Sequence, residues 1–306
     1  MKAFRAMLAA IALTLHMSTP FAGAPVSALS AGFQGAFDFR VTDSVALQAT
    51  LRLPEGRGPF PLVVLMHGGD GVTEADTRLA ADLTAHGYAT AVVDSFTGRG
   101  FKPENGTGAG ASLRPPARVG DAYAALKVLA THPQIDKQRA ALFGRSHGGT
   151  STMIAATNWA KSRYSQDNAA FKAAIALFPP CSITYPEFDS LAVPLRLHLG
   201  AKDDLTPAKA CEDIAARMQA HGQNAKYTEY EEAYHAFDVD GSVAYFAQWL
   251  NYGSCNLQLP SVDAALPMDD IRRCVRRGAS MGGNPQAAAL FRENVVKELA
   301  DLLRQP

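Results

Sequence analysis

The sequence lacks a surplus of charge of either sign, because its 29 basic side chains are balanced by 29 acidic ones. A chain without a positive surplus has no electrostatic footprint for nucleic acid or for an anionic membrane surface. Internal repeats, CxxC pairs and HExxH motifs are also absent, and the histidines are scattered singly. These absences argue against nucleic acid as a partner and predict no metal site.

Apolar runs long enough to span a bilayer are lacking as well. The run AMLAAIALTL near the N-terminus is too short, but it follows the basic stretch MKAFR and precedes the small residues STPFAGAPVSALSA. This order is typical of a secretory signal peptide. We therefore expect residues 1–28 to be a signal peptide, cleaved after Ala24 or after Ala28; a buried N-terminal helix is the alternative. The mature chain is then expected to be secreted or periplasmic and free of the membrane.

Cysteine is sparse. The four cysteines all lie beyond the signal segment, at Cys181, Cys211, Cys255 and Cys274. An even number in an exported chain favours disulfides, and the residues alone leave three connectivities open.

Short apolar runs alternate with helical patterns along the rest of the chain. PLVVLMH, YATAVVD, AAIALFP and VPLRLHLG predict strands, whereas ADTRLAADLTAHG and ARVGDAYAALKVLATH have helical spacing. This alternation predicts an α/β fold with a mostly parallel central sheet and helices on both faces. We expect one domain over residues 32–306, broken by a glycine-rich loop at 95–112 and by an irregular insert at about 252–283, since long irregular segments often form lids or binding loops.

The first chemical signal is the stretch Gly144-Arg145-Ser146-His147-Gly148, which matches the G-x-S-x-G nucleophile elbow. The motif alone is weak, but a predicted strand precedes it and a predicted helix follows it, as the elbow requires. A serine hydroxyl needs a base, a group that orients the base, and donors for the developing oxyanion. Ser146 is therefore the candidate nucleophile.

Candidate oxyanion donors come from two segments. The sequence HGGDG at 67–71 follows the predicted strand PLVVLM, and glycine lets a backbone approach a substrate closely. The expected donors are the backbone N–H groups of Gly69 and His147. A plain turn is the alternative interpretation of HGGDG. The side chain of His67 is expected to hold its loop.

The acid and the base should follow the serine in that order. Asp203 and Asp204 come just after the predicted strand VPLRLHLG, at a carboxyl end where such sites assemble. We favour Asp203 as the acid and keep Asp204 as the helix cap or second candidate. Two histidines come later: His221 ends a helix, whereas His235 lies in the loop YHAFD after the strand KYTEYEEA. His235 is therefore the candidate base.

With these residues in place, the sequence resembles the dienelactone hydrolase family of α/β-hydrolases. HGGDG, VVDSFTGRG, ALFGRSHGG, LHLGAKDDLTPA and AYHAFD are similar to that family and occur in its order. The resemblance implies an α/β-hydrolase sheet, no cofactor, a triad of Ser146, Asp203 and His235, and Gly69 and His147 as oxyanion donors. Dienelactone enzymes carry cysteine at the nucleophile position and are cytosolic. A general hydrolase of small carboxylic esters or lactones is therefore expected rather than a hydrolase of dienelactone itself.

The resemblance also implies a disulfide pattern. In that family the strands that end in FPPC and LHLG are neighbours, which would bring Cys181 close to Cys211. Cys255 and Cys274 would then staple the insert.

Two arginines near the predicted site are weaker candidates. Arg99 in the glycine-rich loop and Arg145 in the elbow could each pair with a substrate carboxylate, although a surface salt bridge is the plainer interpretation of each. Two other functions stay open. One is an exported serine peptidase or amidase of the same fold, which usually needs a further domain or large cap. The other is a non-catalytic binding protein, which should have a broken triad.

Overall fold

The central sheet of the computed structural model has eight strands, in the order β1-β2-β4-β3-β5-β6-β8-β9. Residues 24–101, 113–165 and 169–304 are described by the structure. The strands of the sheet are β1 (Gly35–Thr42), β2 (Val45–Arg52), β3 (Phe60–Met66), β4 (Ala89–Asp94), β5 (Ile135–Arg145), β6 (Ala173–Leu177), β8 (Leu195–Gly200) and β9 (Ala225–Tyr230). The antiparallel pairings are β1 with β2 and β2 with β4, and the remaining neighbours are parallel. The predicted mostly parallel sheet is confirmed.

Helices cover both faces of this sheet. They are α1 (Glu74–Ala85), α2 (Pro115–Leu129), α3 (His147–Ala155), α4 (Asn158–Tyr164), α5 (Ala208–Ala220), α6 (Met268–Cys274) and α7 (Pro285–Leu302). Alternate residues of β3 enter different cores, because successive side chains of a strand point to opposite faces. Leu62 and Val64 join a core with side chains of α2, α3 and α5, whereas Val63 and Leu65 join one with α1 and α7. The continuous apolar run of β3 is therefore explained by burial on both sides.

The insert differs from the sequence-based expectation. Residues 252–283 were expected to be irregular, but regular structure begins earlier, where β10 (Ala244–Asn251) pairs antiparallel with β12 (Arg276–Met281). Helix α6 lies between them, and the short β11 (Leu257–Gln258) pairs with β7 (Ile183–Thr184). Half of the residues of β10 are exposed and the others are only partly buried, so its sequence lacks the apolar alternation that marks a strand. Residues 244–281 are called the insert below.

Both disulfides pair as the family resemblance implied. Cys181 after β6 bonds to Cys211 in α5, with 5.1 Å between their Cα atoms, and Cys255 bonds to Cys274 within the insert, with a Cα separation of 4.9 Å. The first bond joins a helix to the loop after a neighbouring strand. The second holds the start of β11 to the end of α6.

Several expectations fall on other parts of the chain. Residues 1–23 of the proposed signal peptide and residues 102–112 of the glycine-rich loop lie outside the described residues. Within the described ranges, no helix combines the length and the apolar character that crossing a membrane requires.

Candidate active site

Ser146 lies at the sharp turn between β5 and α3. Its backbone has φ 51° and ψ −118°, an uncommon conformation for a residue other than glycine, and its N–H donates to the carbonyl of Leu177 at 2.9 Å. A Cβ added at Gly144 would lie 2.1 Å from the carbonyl oxygen of Gly148, and one added at Gly148 would lie 2.3 Å from the carbonyl oxygen of Met66. Only glycine fits at these two positions, which explains the spacing of the motif.

His235 and Asp203 complete a hydrogen-bonded relay with this serine. The Nε2 atom of His235 lies 3.1 Å from the Oγ of Ser146, and its Nδ1 atom lies 2.8 Å from Oδ2 of Asp203. Asp203 and His235 are both buried. The three residues come from the ends of β5, β8 and β9, so the parallel sheet brings them together at its carboxyl edge.

Asp203 is fixed by further hydrogen bonds, and these separate it from Asp204. The backbone N–H groups of Leu205 and Thr206 donate to Oδ1 of Asp203 at 2.9 and 2.7 Å, and the Thr206 hydroxyl donates to Oδ2 at 2.7 Å. Oδ1 of Asp204 instead accepts from the backbone N–H of Ser280 in the insert at 2.8 Å. Asp204 therefore does not reach His235, and it is not the cap of α5, whose N-cap residue is Pro207.

The expected oxyanion donors lie on either side of Ser146. A Cβ added at Gly68 would be 3.6 Å from the Cβ of Ser146, so the loop that carries Gly69 passes against the serine. His147 is the first residue of α3, where backbone N–H groups and the helix dipole favour negative charge. The structure thus brings both predicted segments to the serine.

A buried arginine that the sequence analysis did not single out connects these two segments. Arg118 on α2 is fully buried, and its Nη2 donates to the carbonyl of His67 at 2.8 Å while its Nη1 lies 2.9 Å from Nδ1 of His147. Since a guanidinium only donates, Nδ1 of His147 is the acceptor. Burial lowers the pKa of Arg118 to about 10, although the nearby Asp121 carboxylate opposes this effect. Arg118 is therefore still a cation at neutral pH.

Arg145 braces the serine turn against the histidine loop. Its guanidinium makes a bidentate ion pair with Asp238, with distances of 2.9 Å from Nη2 to Oδ1 and 3.0 Å from Nε to Oδ2. Both side chains are buried. Burial lowers the pKa of Arg145, but the carboxylates of Asp238, Asp76 and Asp70 together raise it above its usual value. The expected alternatives of a substrate ligand or a surface salt bridge are both corrected, because this pair is internal.

Arg99 is corrected in the same way. Its Nη2 and Nη1 atoms lie 2.6 and 2.9 Å from the two carboxylate oxygens of the buried Asp121, and Nη1 also donates to the carbonyl of Ser95. Neither Arg99 nor Arg145 lines the cavity beside Ser146. An arginine already paired in both prongs has little left to offer a substrate carboxylate.

Three further histidines, His67, His198 and His221, have structural contacts. His67 is buried, and its ring nitrogens contact the Gly68 carbonyl at 2.7 Å and the Ser95 N–H at 3.1 Å, which holds the loop as expected. Burial lowers its pKa well below the usual 6.5, and the charge of Arg118 lowers it further. His198 in β8 contacts Tyr230 and Glu298. His221 is the C-cap of α5.

A cavity of about 330 Å³ opens beside Ser146. Its walls come from the sheet edge, from the start of α2, and from the insert, which contributes Trp249, Leu250, Tyr252, Leu266, Met268 and Ile271. Among the residues with described positions, no cluster of histidine, cysteine, aspartate or glutamate side chains is arranged to hold a metal ion.

Sequence reasoning missed Thr206, Arg118 and Asp238. The signal for Arg118 was available, because it shares the buried face of α2 with Ala122 and Leu126, where a charged residue is unusual. Asp238 follows His235 by three residues, but nothing local assigns it to Arg145. Thr206 would have required knowledge of the turn after Asp203.

Similar proteins agree with this architecture. A sequence model of the dienelactone hydrolase family matches residues 47–250. A putative dienelactone hydrolase from Klebsiella pneumoniae superposes with a TM-score of 0.60 at 17% identity, over 89% of this chain and 98% of that one. A dienelactone hydrolase-like promiscuous phosphotriesterase from metagenomic libraries gives a TM-score of 0.60 at 14% identity, over 89% and 99% of the two chains.

One curated relative matches in sequence. An uncharacterised 31.7 kDa protein of Escherichia coli, from the traX-finO intergenic region, is 32% identical over 120 residues, which are 39% of this chain and 40% of that protein. The match thus spans about two fifths of the relative's length. The solved structures support the α/β-hydrolase fold, and the family match extends from β2 to β10 and includes all three residues of the relay. This chain belongs to the dienelactone hydrolase family.

Proposed function

We propose that this protein is a serine hydrolase that cleaves carboxylic esters or lactones through an acyl-enzyme. The observation that carries the proposal is the relay of Ser146, His235 and Asp203, with heavy-atom distances of 3.1 and 2.8 Å. These distances lie within the range in which a histidine can take a proton from a serine hydroxyl. Membership of a hydrolase family supports the same conclusion.

In the proposed reaction, His235 Nε2 takes the proton of Ser146 as Oγ attacks the ester carbonyl carbon. The carbonyl oxygen becomes an oxyanion, which the N–H groups of Gly69 and His147 stabilise. Asp203 holds the imidazole tautomer and stabilises its cation. The protonated His235 gives its proton to the leaving alcohol, and the acyl group stays on Oγ. Water, deprotonated by His235, then attacks the acyl carbon. The bond from that carbon to Oγ breaks, His235 returns the proton to Oγ, and the acid is released.

We also propose that the chain is exported, with residues 1–28 removed and residues 32–306 acting as one domain. The disulfides Cys181–Cys211 and Cys255–Cys274 support this, because such bonds persist in oxidising compartments. The intact mass of protein purified from the native cell envelope or medium should be smaller by the mass of residues 1–24 or 1–28. A full-length mass in the cytosol would contradict export.

The decisive test replaces the nucleophile. Ser146→Ala should lower kcat/KM for p-nitrophenyl acetate by about 10⁴-fold or more, because the serine acts together with its base. Ser162→Ala, on the exposed side of α4, is the matched control and should keep full activity. An alkyl fluorophosphonate should add to the Ser146 peptide, as read by mass spectrometry, and Ser146→Ala should not react. Unchanged hydrolysis in Ser146→Ala would overturn the proposal.

A further inference from the structure

The walls of the cavity beside Ser146 are mainly apolar, unlike the polar residues at its floor. On the insert side its wall is made of large apolar side chains, and Trp249, Leu250 and Tyr252 in this wall remain only half-buried. Ile183, Tyr185 and Leu205, which lie outside the insert, continue the apolar surface, and Leu205 belongs to the same apolar cluster as Trp249. These side chains line the cavity without filling it. When an apolar group of a ligand displaces the water between them, the free energy of binding becomes more favourable.

Two threonine hydroxyls of the cavity lining are engaged in hydrogen bonds within the protein. The hydroxyl of Thr206 donates to Asp203 at 2.7 Å, and that of Thr150 donates to the carbonyl of Pro180 at 2.9 Å. Among the described residues, Arg114 is the arginine of the lining, and it interacts with Tyr185. Burial raises the pKa of Tyr185, an effect that Arg114 partly offsets. The wall therefore presents mainly apolar surface to a ligand.

The insert is held in place at several points. Its strand β11 pairs with β7, Asn251 Nδ2 donates to the carbonyl of Asp204 at 2.9 Å, and the N–H of Val262 donates to Oε1 of Glu187 at 3.0 Å. The Cys255–Cys274 bond joins its two arms. A wall fixed in this way presents its apolar side chains before a ligand arrives, and preorganisation of this kind lowers the entropic cost of binding.

The size of the cavity limits what can enter. At about 330 Å³ it lies near the lower end of the range of small-ligand pockets, about 300–1,000 Å³. An acetyl group would leave most of the wall in contact with water, whereas a benzoyl or cyclohexyl group would cover it.

From these observations we infer that the substrates are esters in which one substituent is a ring-sized apolar group, and that the insert wall selects this group. The inference rests on the proposed hydrolase function and adds the class of substrate. It makes Trp249 and Tyr252 specificity-determining residues, outside the relay that performs the chemistry.

The test compares substrates of different bulk in matched variants. Trp249→Ala and Tyr252→Ala should each lower kcat/KM for p-nitrophenyl benzoate or for benzyl acetate by about tenfold, and for p-nitrophenyl acetate by less than about threefold. Two substrates with rings are used because the ring can sit on either side of the ester. The control is Tyr245→Ala, which removes a mainly exposed aromatic ring from β10, the strand that carries Trp249. It should leave kcat/KM for the acetate and for the ring-bearing esters unchanged.

A binding measurement covers the case in which a variant folds poorly. Benzeneboronic and methylboronic acids add to serine hydrolases when Oγ bonds to boron and its proton passes to the histidine. Wild-type protein should bind the benzene compound at least about tenfold more tightly. Equal affinities for the two acids, or equal losses on acetate and ring-bearing esters in both wall variants, would overturn the inference. If wild-type protein cleaved none of the esters, including the acetate, the proposed function itself would fall.

Discussion

The floor of the site, which consists of the relay and the buried charged residues that hold it, differs in polarity from the insert wall. The floor is buried and polar: Arg118, Arg145 and Asp238 hold the serine turn, the HGGDG loop and the histidine loop in place. The insert wall is apolar and partly open, and a disulfide and a few hydrogen bonds hold it. A reaction that moves protons needs fixed polar atoms, whereas selection by size needs only a shaped apolar surface. We therefore expect substitutions in the floor of the site to alter the rate on every ester. Substitutions in the insert should alter the preference among esters.

The largest contrast is expected between two adjacent carboxylates. Asp203 belongs to the floor of the site and contacts His235, whereas Asp204 contacts Ser280 in the insert. Asp203→Asn should lower kcat by about 10³- to 10⁴-fold, because an amide cannot hold the imidazole tautomer or stabilise its cation. Asp204→Asn should retain acetate hydrolysis within about threefold. Steady-state kinetics on p-nitrophenyl acetate measure both, and similar losses in the two variants would remove the distinction between the regions.

The next contrast concerns stability. Arg145→Met leaves the Asp238 carboxylate buried without its partner, and should lower the free energy of unfolding by about 3–5 kcal/mol. The combined change Arg145→Met with Asp238→Leu should recover a large part of that loss, since no buried charge remains. In the insert, Cys255→Ser with Cys274→Ser should cost about 3 kcal/mol or less. Urea unfolding under non-reducing conditions compares the three. A double variant as unstable as Arg145→Met alone would show that the pair itself, rather than an isolated charge, sets the cost.

Substitutions of Arg118 test whether the floor of the site affects the reaction rate. Because it binds both the His67 carbonyl and the His147 ring, Arg118→Met should let the oxyanion donors drift, which should lower kcat by about 30-fold and leave KM within about threefold. Arg118→Lys keeps the charge and one of the contacts, so it should recover part of kcat. A loss confined to KM, or to esters with ring substituents, would assign Arg118 to substrate binding instead.

The smallest effect is expected from His67, through pH. Burial keeps its pKa in the folded protein well below 6.5, so below that pH the unfolded chain binds a proton that the folded protein does not. The contribution of His67 to stability is complete above about pH 7 and is lost as the pH falls, by up to about 1.4 kcal/mol per pH unit. Urea unfolding between pH 7.5 and 5.5, in steps of about half a unit, should show a steeper decline in wild-type protein than in His67→Asn. Parallel declines would exclude His67 as the source.

Much of the site was predictable because its signals are local. The elbow, the HGGDG loop, Asp203 and His235 each lie at or shortly after the end of a strand, and the parallel sheet gathers those strand ends at one edge. The strand β10 was not predicted, because its exposed faces carry no apolar period. Arg145 was misassigned because its partner Asp238 lies 93 positions further along the chain. Thr206 contributes through a turn geometry that composition does not reveal.

The sequence by itself therefore determined the α/β class, the family, and the order in which Ser146, Asp203 and His235 follow their strands. These depend on hydrophobic period and on turns whose steric requirements only glycine meets. Only the tertiary structure decided which arginines are engaged internally, which of two neighbouring aspartates faces His235, and that the insert lies over Ser146 as an apolar wall. Those outcomes depend on contacts between residues far apart in the chain, and such contacts follow from packing rather than from local pattern.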